Sequence, residues 1–243
     1  MANEKVWNKL YSETEFNDVL KRLDYGLKAP EKLFAYYPWL ELLRKNKLKF
    51  GRSLEIGAGT GSYSLVLKKL GMVKEVYLLD YSEEALKIAK KAFKKHNVKG
   101  HFILGNALNL PFKDKFFDLT ISGGLLEHFN EKEQLKIISE EKRVSKYVLN
   151  QVPISTLGYW ALRLAITLIK GKWPFGYEKP MSKKILKRLY ENEGIEIIGE
   201  GYHDVLTAVK FSMASKKNAD FNFKKKFINK ILMNEIAILG KVT

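Results

Sequence analysis

The sequence has no cysteine among its 243 residues. This absence excludes disulfide bonds, cysteine-ligated zinc, iron–sulfur clusters and a thiol nucleophile. The first residues, MANEKVWNKLYSETEF, include no apolar stretch of the kind that a signal peptide requires. The longest apolar run, LGYWALRLAITLI at 157–169, contains Arg163 and is shorter than the ~20 residues that span a bilayer. We therefore expect a cytoplasmic protein without a transmembrane segment.

Acidic residues are scarce relative to basic ones: 27 Asp and Glu stand against 43 Lys and Arg, a net charge of +16. The excess is dense at 150–190, where eight basic residues and one acidic residue give a net of +7. Such a field attracts phosphate-bearing partners or an anionic membrane surface. Lysines that only solvate the surface explain the same composition, so charge alone names no partner. No His, Asp and Glu cluster has metal-ligand spacing, and we expect no metal.

Short β-rich segments alternate with helical segments from residue 52 onward. The strand-like segments are RSLEI, EVYLLD, GHFILG, FFDLTIS and KYVLNQV, followed later by IEIIGEGYH and NEIAILGKV. Between the first strands lie helical segments; Gly71 ends one of them, and Ser82 is placed to cap the next. This order predicts an α/β, Rossmann-like, doubly wound and mostly parallel seven-stranded sheet with helices on both faces.

We expect a single domain over residues 1–243. Its parts are a helical cap at 1–48, a ligand-binding core at 50–152, a helical lid at 153–193, and C-terminal strands with a basic helical insert at 194–243.

A glycine-rich turn, SLEIGAGTGSYS, follows the first strand, at the sheet edge where open α/β sheets bind ligands. A phosphate loop would need Lys followed by Ser or Thr, and neither pair is present. A dinucleotide turn would need glycine where Ser62 stands, and Glu55 would repel its pyrophosphate. S-adenosylmethionine instead carries an ammonium and a sulfonium. Glu55 would attract these charges, and Gly57, Gly59 and Gly61 would let the backbone approach.

Four segments resemble the motifs of class I S-adenosylmethionine-dependent methyltransferases, in the small-molecule "type 11"-like subgroup. LEIGAGTG is similar to the first motif, VYLLDYS to the second, and GNALNLPFKDKFFDLTIS to the third and fourth. GGLLEHF at 123–129 resembles the stretch that follows the fourth strand in that subgroup. The resemblance covers about 50–150, less than half of the chain.

The resemblance implies a role for each matched position in binding the cofactor. Asp80 would bind both ribose hydroxyls, and Tyr81 would lie against the adenine. Asn106 stands where the family usually has Asp, and its amide carbonyl can still accept the adenine amino proton; Ala107 and Leu108 would flank the base. The implied cofactor-binding residues are Glu55, Gly57, Ala58, Gly59, Gly61, Asp80, Tyr81, Asn106, Ala107, Leu108, Ser122 and Gly123.

Methyl transfer from a sulfonium is an in-line displacement that depends mainly on positioning and exclusion of water. The Asn-Pro-Pro-aromatic signature of amide and adenine methylation is absent, since Ser122 and Gly123 follow the fourth strand. His128 is the candidate base, because its unperturbed pKa of ~6.5 suits proton abstraction near neutrality. In the alternative interpretation His128 only packs under the loop, and Glu127 caps the next helix.

The acceptor must be recognised by the segments outside the motifs. The lid is aromatic and basic, with Tyr159, Trp160, Trp173, Phe175 and Tyr177 beside Arg163, Lys170 and Lys172. This composition favours a small or lipid-like acceptor, which could be anionic; an RNA acceptor is the alternative.

Two further alternatives stay open from the sequence. The lid helix can be an ordinary core helix that buries Leu162, Ala165 and Ile169. The chain can also bind the cofactor without transferring a methyl group, or transfer an aminopropyl group from a decarboxylated cofactor.

Overall fold

The computed structural model describes residue 24 and residues 27–28, 37–173, 177–204 and 233–243. The strands are β1 (Phe50–Ile56), β2 (Val73–Asp80), β3 (His101–Leu104), β4 (Phe117–Gly123), β5 (Ser145–Pro153), β6 (Ile195–Asp204) and β7 (Met233–Val242). The described α-helices are α1 (Pro38–Lys45), α2 (Ser62–Lys69), α3 (Glu83–Lys95), α4 (Glu131–Val144), α5 (Leu157–Lys170) and α6 (Lys183–Asn192). A short 3₁₀ turn, Leu126–His128, lies between β4 and α4.

The seven strands form one sheet in the order β3-β2-β1-β4-β5-β7-β6. Strands β1 to β5 pair in parallel, and β7 runs antiparallel to both β5 and β6. The mostly parallel seven-stranded sheet is therefore confirmed. Because β7 is antiparallel, its first residues lie beside the last residues of β5, where Glu235 pairs with Pro153. Distant parts of the chain thus meet at one edge of the sheet.

Helices cover both faces of the sheet, as predicted. On one face α1, α2 and α3 contribute Leu40, Leu65 and Phe93 to a core cluster. On the other face α4 and α6 contribute Ile137 and Tyr190 to a second cluster. Burial of these apolar side chains on both sides gives the parallel strands the double cover that they require.

The predicted division into cap, core, lid and C-terminal region stays a prediction. Most of the predicted helical cap at 1–48 and of the basic helical insert lies outside the described residues. The lid segment is described from 153 to 173 and from 177 to 193. It is attached to β5 by a bridge between Ile154 and Met181, with Met181 N donating to Pro153 O at 2.9 Å.

The helix caps follow the local sequence. Ser82 caps α3, accepting a hydrogen bond from Ala85 N at 3.2 Å, as predicted. At the start of α4, Asn130 Oδ1 accepts from Glu133 N, and Glu133 Oε2 accepts from Asn130 N, both at 3.1 Å. The interpretation of Glu127 as the cap of this helix is therefore wrong. Asn130 is the cap because its short side chain reaches the N–H groups of the first turn.

The capping box fixes the start of α4 directly after the 3₁₀ turn. We expect Asn130→Ala to lower the free energy of unfolding by about 1 kcal/mol, because a helix N–H group loses its acceptor. Urea denaturation measures this change. Lys132→Ala, an exposed residue of the same turn, is the control and should be close to neutral. Equal losses in the two variants would contradict the assignment of Asn130 as the cap.

Candidate active site

A cavity of about 560 Å³ opens at the carboxyl edge of the parallel strands. Residues from β1, β2 and β4 line one half, and residues from β5 and β7 line the other, with α5 and the following loop above them. The main lining residues are Gly57, Tyr63, Asp80, Tyr81, Gly123, Leu125, Glu127, His128, Gln151, Val152, Tyr159, Leu162, Ile166, Trp173, Glu178 and Glu235. The volume is typical of a site for a small organic ligand.

The glycine turn joins β1 to α2 through left-handed backbone. Gly57, Gly59 and Gly61 have φ values of +63°, +51° and +69°. A Cβ atom on Gly57 would lie 2.8 Å from Leu125 Cδ1, and one on Gly61 would lie 2.5 Å from Leu78 Cδ2. Both the backbone conformation and the packing therefore exclude larger residues, and Gly57 leaves bare backbone on the cavity wall.

Asp80 ends β2 and fixes this turn. Its Oδ2 accepts a hydrogen bond from Gly59 N at 2.8 Å, and its Oδ1 accepts one from Ser82 N at 2.9 Å. Burial raises the pKa of Asp80, whereas hydrogen bonds from the backbone of Ser82, Gly59 and Tyr81 oppose the rise. A carboxylate has about four acceptor positions, so these three donors leave about one for a ligand in the cavity.

Glu55 occupies a different place from the one that its charge suggested. Its side chain is buried behind the turn, where Oε2 accepts from Ser64 N at 2.8 Å and Oε1 from Tyr63 N at 3.4 Å. It is not among the cavity-lining residues. The first N–H groups of α2 lack helical partners and attract the carboxylate. Direct contact between Glu55 and a ligand ammonium stays a prediction that this geometry does not support.

Of the other predicted cofactor-binding residues, Tyr81 and Gly123 line the cavity. The rest support or flank it. Ala58 is buried in the turn, with its N donating to Leu79 O at 3.1 Å. Ser122 is a buried residue of β4 and accepts from Asn150 Nδ2 at 2.8 Å. These two residues stabilise the backbone of the site.

The segment Asn106, Ala107 and Leu108 lies beside Asp80, because Gly105 N donates to Asp80 O at 2.9 Å. Asn106 is exposed, and its Oδ1 already accepts a hydrogen bond from Leu108 N at 2.9 Å. The amide carbonyl proposed to accept an adenine proton is thus partly occupied by the loop itself. None of the three residues lines the cavity.

His128 lies on the 3₁₀ turn, buried except for the surface that lines the cavity. Its Nδ1 is 2.5 Å from Tyr177 O. A carbonyl oxygen only accepts, so Nδ1 carries the hydrogen, and the lone pair of the neutral ring is on Nε2. Burial lowers the pKa of His128, which favours the neutral ring near pH 7. The residue thus has the protonation state that a base requires.

Carboxylates from three distant segments meet in the cavity, and the sequence interpretation missed them as a group. They are Glu127, Glu178 and Glu235. Gln151 lines the same cavity, and its Nε2 donates to Glu235 Oε2 at 2.5 Å. Burial raises the pKa of Glu127 well above its usual range, and Glu178 and Glu235 add to the rise. The one signal of this carboxylate group in the sequence is Glu178, the only acidic residue at 150–190.

Two buried oxygen atoms of this wall have no hydrogen-bond partner among the described residues: Glu127 Oε2 and Gln151 Oε1. Gln151 Oε1 is an acceptor, and Glu127 Oε2 accepts when the carboxyl is ionised, so a ligand that donates hydrogen bonds would satisfy them. Among the described residues that line the cavity, none is Lys or Arg. The expectation of an anionic acceptor therefore does not fit this cavity, because an anion would meet carboxylates and no cation.

The lid is organised by Arg163. Its guanidinium lies 5.0 Å from the Trp173 ring centroid and 5.5 Å from that of Trp160, and it donates to Tyr159 Oη at 3.0 Å. Tyr159 Oη and Trp173 Nε1 each donate to Glu178 at 2.9 Å. Arg163 and the carboxylate of Glu178 thus position the lid aromatics. Phe175 and the side chain of Lys170 lie outside the described residues.

Helix α5 is not the core helix that the apolar run suggested. Leu162 is half-buried at the cavity, but Ala165 is exposed and Ile169 has 83% of its surface exposed. Only the face carrying Tyr159, Leu162 and Ile166 lines the cavity. The interpretation is wrong for Ala165, which lies off that face, and for Ile169, which is in the last turn of α5 and does not line the cavity.

Neither a spanning helix nor a metal cluster is found in the described parts of the chain. No helix there is long and apolar enough to cross a bilayer. Likewise, no group of three or more His, Asp or Glu side chains there is placed to hold a metal ion.

Known proteins match this arrangement of motifs. Residues 54–147 match the family model described as a methyltransferase domain. The demethylmenaquinone methyltransferase of Thermotoga maritima is 36% identical over 176 residues, which are 66% of this chain and 74% of that protein. The chain belongs to the class I S-adenosylmethionine-dependent methyltransferases.

Other relatives match this methyltransferase over a shorter region. The demethylmenaquinone methyltransferase of Geobacillus stearothermophilus is 37% identical over 108 residues, 42% of this chain and 44% of that protein. The chain thus spans less than half the length of that relative. The family model matches residues 54–147 and ends before the lid segment.

Two solved structures share the methyltransferase fold. Magnesium protoporphyrin IX methyltransferase of Synechocystis PCC 6803, solved with bound S-adenosylhomocysteine, superposes with a TM-score of 0.61 at 15% identity over 99% of both chains. The PH0226 protein of Pyrococcus horikoshii gives 0.59 at 17% identity, over 96% of this chain and 95% of that one. At these identities the likeness establishes the fold alone.

The placement of Glu55 predicts an unusual pH dependence of stability. Burial raises the pKa of Glu55 to about 7, from 4.5. Between these two pH values the folded chain retains a proton that the unfolded chain has released. Stability is therefore greatest at the acidic end and decreases by up to about 1.4 kcal/mol per pH unit as pH rises.

Glu55→Gln should make this decrease shallower in urea denaturation between about pH 5 and about pH 7. Glu191→Gln, at an exposed residue of α6, is the control and should retain the wild-type slope. An unchanged slope in Glu55→Gln would show that Glu55 is not buried against α2.

Proposed function

We propose that this methyltransferase binds S-adenosylmethionine and transfers its methyl group to a small acceptor that has an apolar body and a hydrogen-bond donor. The observation that carries the proposal is the division of one cavity into two halves. Gly57, Asp80 and Tyr81 face one half, and Gln151 and Glu235 face the other. The turn that carries His128 lies between them, where a methyl group would pass.

The first half fits the cofactor. Asp80 lines this half and retains about one acceptor position, which suits a ribose hydroxyl. Tyr81 is 42% exposed and offers a ring on which adenine can stack. The bound cofactor would supply an electrophilic methyl group on a sulfonium. The positive charge would be stabilised by the nearby carboxylates, whereas a pyrophosphate would be repelled.

The second half defines the chemistry of the acceptor. Val152, Leu162, Ile166 and Trp173 offer an apolar surface, and the partnerless acceptor atoms of the acidic wall require donors. A lipid-like quinol, with two hydroxyl donors on an apolar body, satisfies both requirements. The relatives named demethylmenaquinone methyltransferases support this acceptor class.

The side chains of the site would position and deprotonate the acceptor. His128 Nε2 would take the proton of the acceptor hydroxyl, while Nδ1–H remains bonded to Tyr177 O. The lid aromatics Tyr159 and Trp173 would exclude water. An RNA acceptor gains no support from the cavity, since its carboxylates would repel the phosphates of RNA.

The direct test is transfer of radiolabelled methyl from S-adenosylmethionine to reduced demethylmenaquinone. We expect label in the lipid product, and much less with the oxidised quinone, because the quinone has no hydroxyl donors. Binding of S-adenosylhomocysteine without transfer to any acceptor in a lipid extract would instead identify a cofactor-binding protein.

His128 can be tested with two variants that separate its two nitrogen atoms. His128→Ala removes both, whereas His128→Asn keeps an N–H donor near the position of Nδ1. If Nε2 is the base, both variants lose about 10²-fold or more in turnover. Binding of S-adenosylhomocysteine, measured by calorimetry, should change little in either variant. Wild-type turnover in His128→Asn would mean that only the contact with Tyr177 O matters.

A further inference from the structure

We propose that the outer face of α5, with the lysines of the lid around it, docks on an anionic lipid bilayer. This surface lies outside the cavity and is independent of the methyl-transfer chemistry. The helix does not span a membrane in this proposal; it lies in the interface, parallel to the surface.

The apolar side chains of α5 point in two opposite directions. Tyr159, Leu162 and Ile166 line the cavity. On the opposite face Leu157, Trp160, Leu164 and Leu168 repeat at intervals of three and four residues, so they form one stripe along the helix. All four are exposed, with exposed fractions of 71%, 48%, 60% and 75%. Helices that are apolar on all sides are stable when covered, in a protein core or in lipid.

The charge around the stripe favours an anionic surface. Residues 150–190 hold eight basic residues and one acidic residue, and that acid, Glu178, bonds inward to Tyr159 and Trp173. Lys172, Lys179 and Lys184 are exposed, and none of them forms an ion pair within the described parts of the chain. An apolar helix face in a segment that is rich in exposed lysines is the combination that interfacial helices use on anionic membranes.

The residue types distinguish a bilayer from an RNA. Leucine side chains insert among acyl chains, but they offer RNA neither a stacking ring nor a hydrogen bond. Trp160 and Tyr177, both exposed, are the residue types enriched at the level of lipid headgroups. The stripe therefore favours lipid, although its lysines would suit either partner.

Docking in this orientation has a consequence for access to the cavity. The same helix would contact acyl chains with Leu164 and line the cavity with Leu162 and Ile166. An apolar acceptor dissolved in the bilayer would thus reach the cavity along α5 without crossing water.

The test is sedimentation of the full chain with lipid vesicles, without cofactor or acceptor. We expect binding to vesicles of phosphatidylcholine with phosphatidylglycerol, weak binding to phosphatidylcholine alone, and loss of affinity as salt is raised. Leu164→Glu should weaken binding about tenfold or more, because a charge on the stripe opposes insertion.

Leu104→Glu is the matched control. Leu104 has the same exposed fraction as Leu164, 60%, but lies on β3 at the opposite edge of the sheet. This variant should bind vesicles like the wild type. Retained binding of S-adenosylhomocysteine by Leu164→Glu would show that it is folded. In addition, brominated lipids should quench wild-type fluorescence, and Trp160→Phe should lose most of that quenching.

Three results would overturn the proposal. The first is equal vesicle binding by Leu164→Glu and the wild type. The second is filter binding of transfer RNA with no sedimentation on anionic vesicles. The third is a dimer in the wild type that Leu164→Glu dissociates, again without vesicle binding, which would make the stripe a contact between two copies of the chain.

Discussion

A single buried carboxylate connects the two pieces of backbone on which the cofactor half of the site depends. Asp80 accepts hydrogen bonds from Gly59 in the turn after β1 and from Ser82 at the start of α3. The turn needs this support because its three glycines have left-handed backbone and no side chains that could fix it. With both ends held, Asp80 still lines the cavity, and the surface for a ribose exists before the ligand binds.

The chain separates its charges: the surface is strongly basic, with a net charge of +16, while the cavity is acidic. Glu127 illustrates the consequence, since burial and its carboxylate neighbours raise its pKa. A ligand that carries a cation stabilises the ionised form of such a carboxyl, and a phosphate destabilises it. The same separation leaves the lysines of the lid available for an anionic surface outside. Negative charges in the cavity thus serve the selection of the cofactor, whereas positive charges on the surface serve attachment to a partner.

The sequence predicted those features that depend on local order. The strand and helix sequence, the glycine turn, Asp80 at the end of β2 and the Ser82 cap all follow from short-range patterns, and all are present. The direction of the Glu55 side chain does not follow from local order, because it depends on the N–H groups of α2 that bind the carboxylate. Gln151 and Glu235 were missed because antiparallel pairing of β5 with β7 brings them together across 84 residues. The exposure of α5 was missed because an apolar run does not show which of its faces is covered.

The central claim is that a carboxylate-lined cavity selects a cationic cofactor over an anionic dinucleotide. Isothermal titration of the wild type and of Asp80→Asn with S-adenosylmethionine, S-adenosylhomocysteine and NAD tests it most directly. The account predicts binding of both adenosyl ligands, a loss of about tenfold or more in Asp80→Asn, and no binding of NAD. Tighter binding of NAD than of S-adenosylmethionine would contradict it.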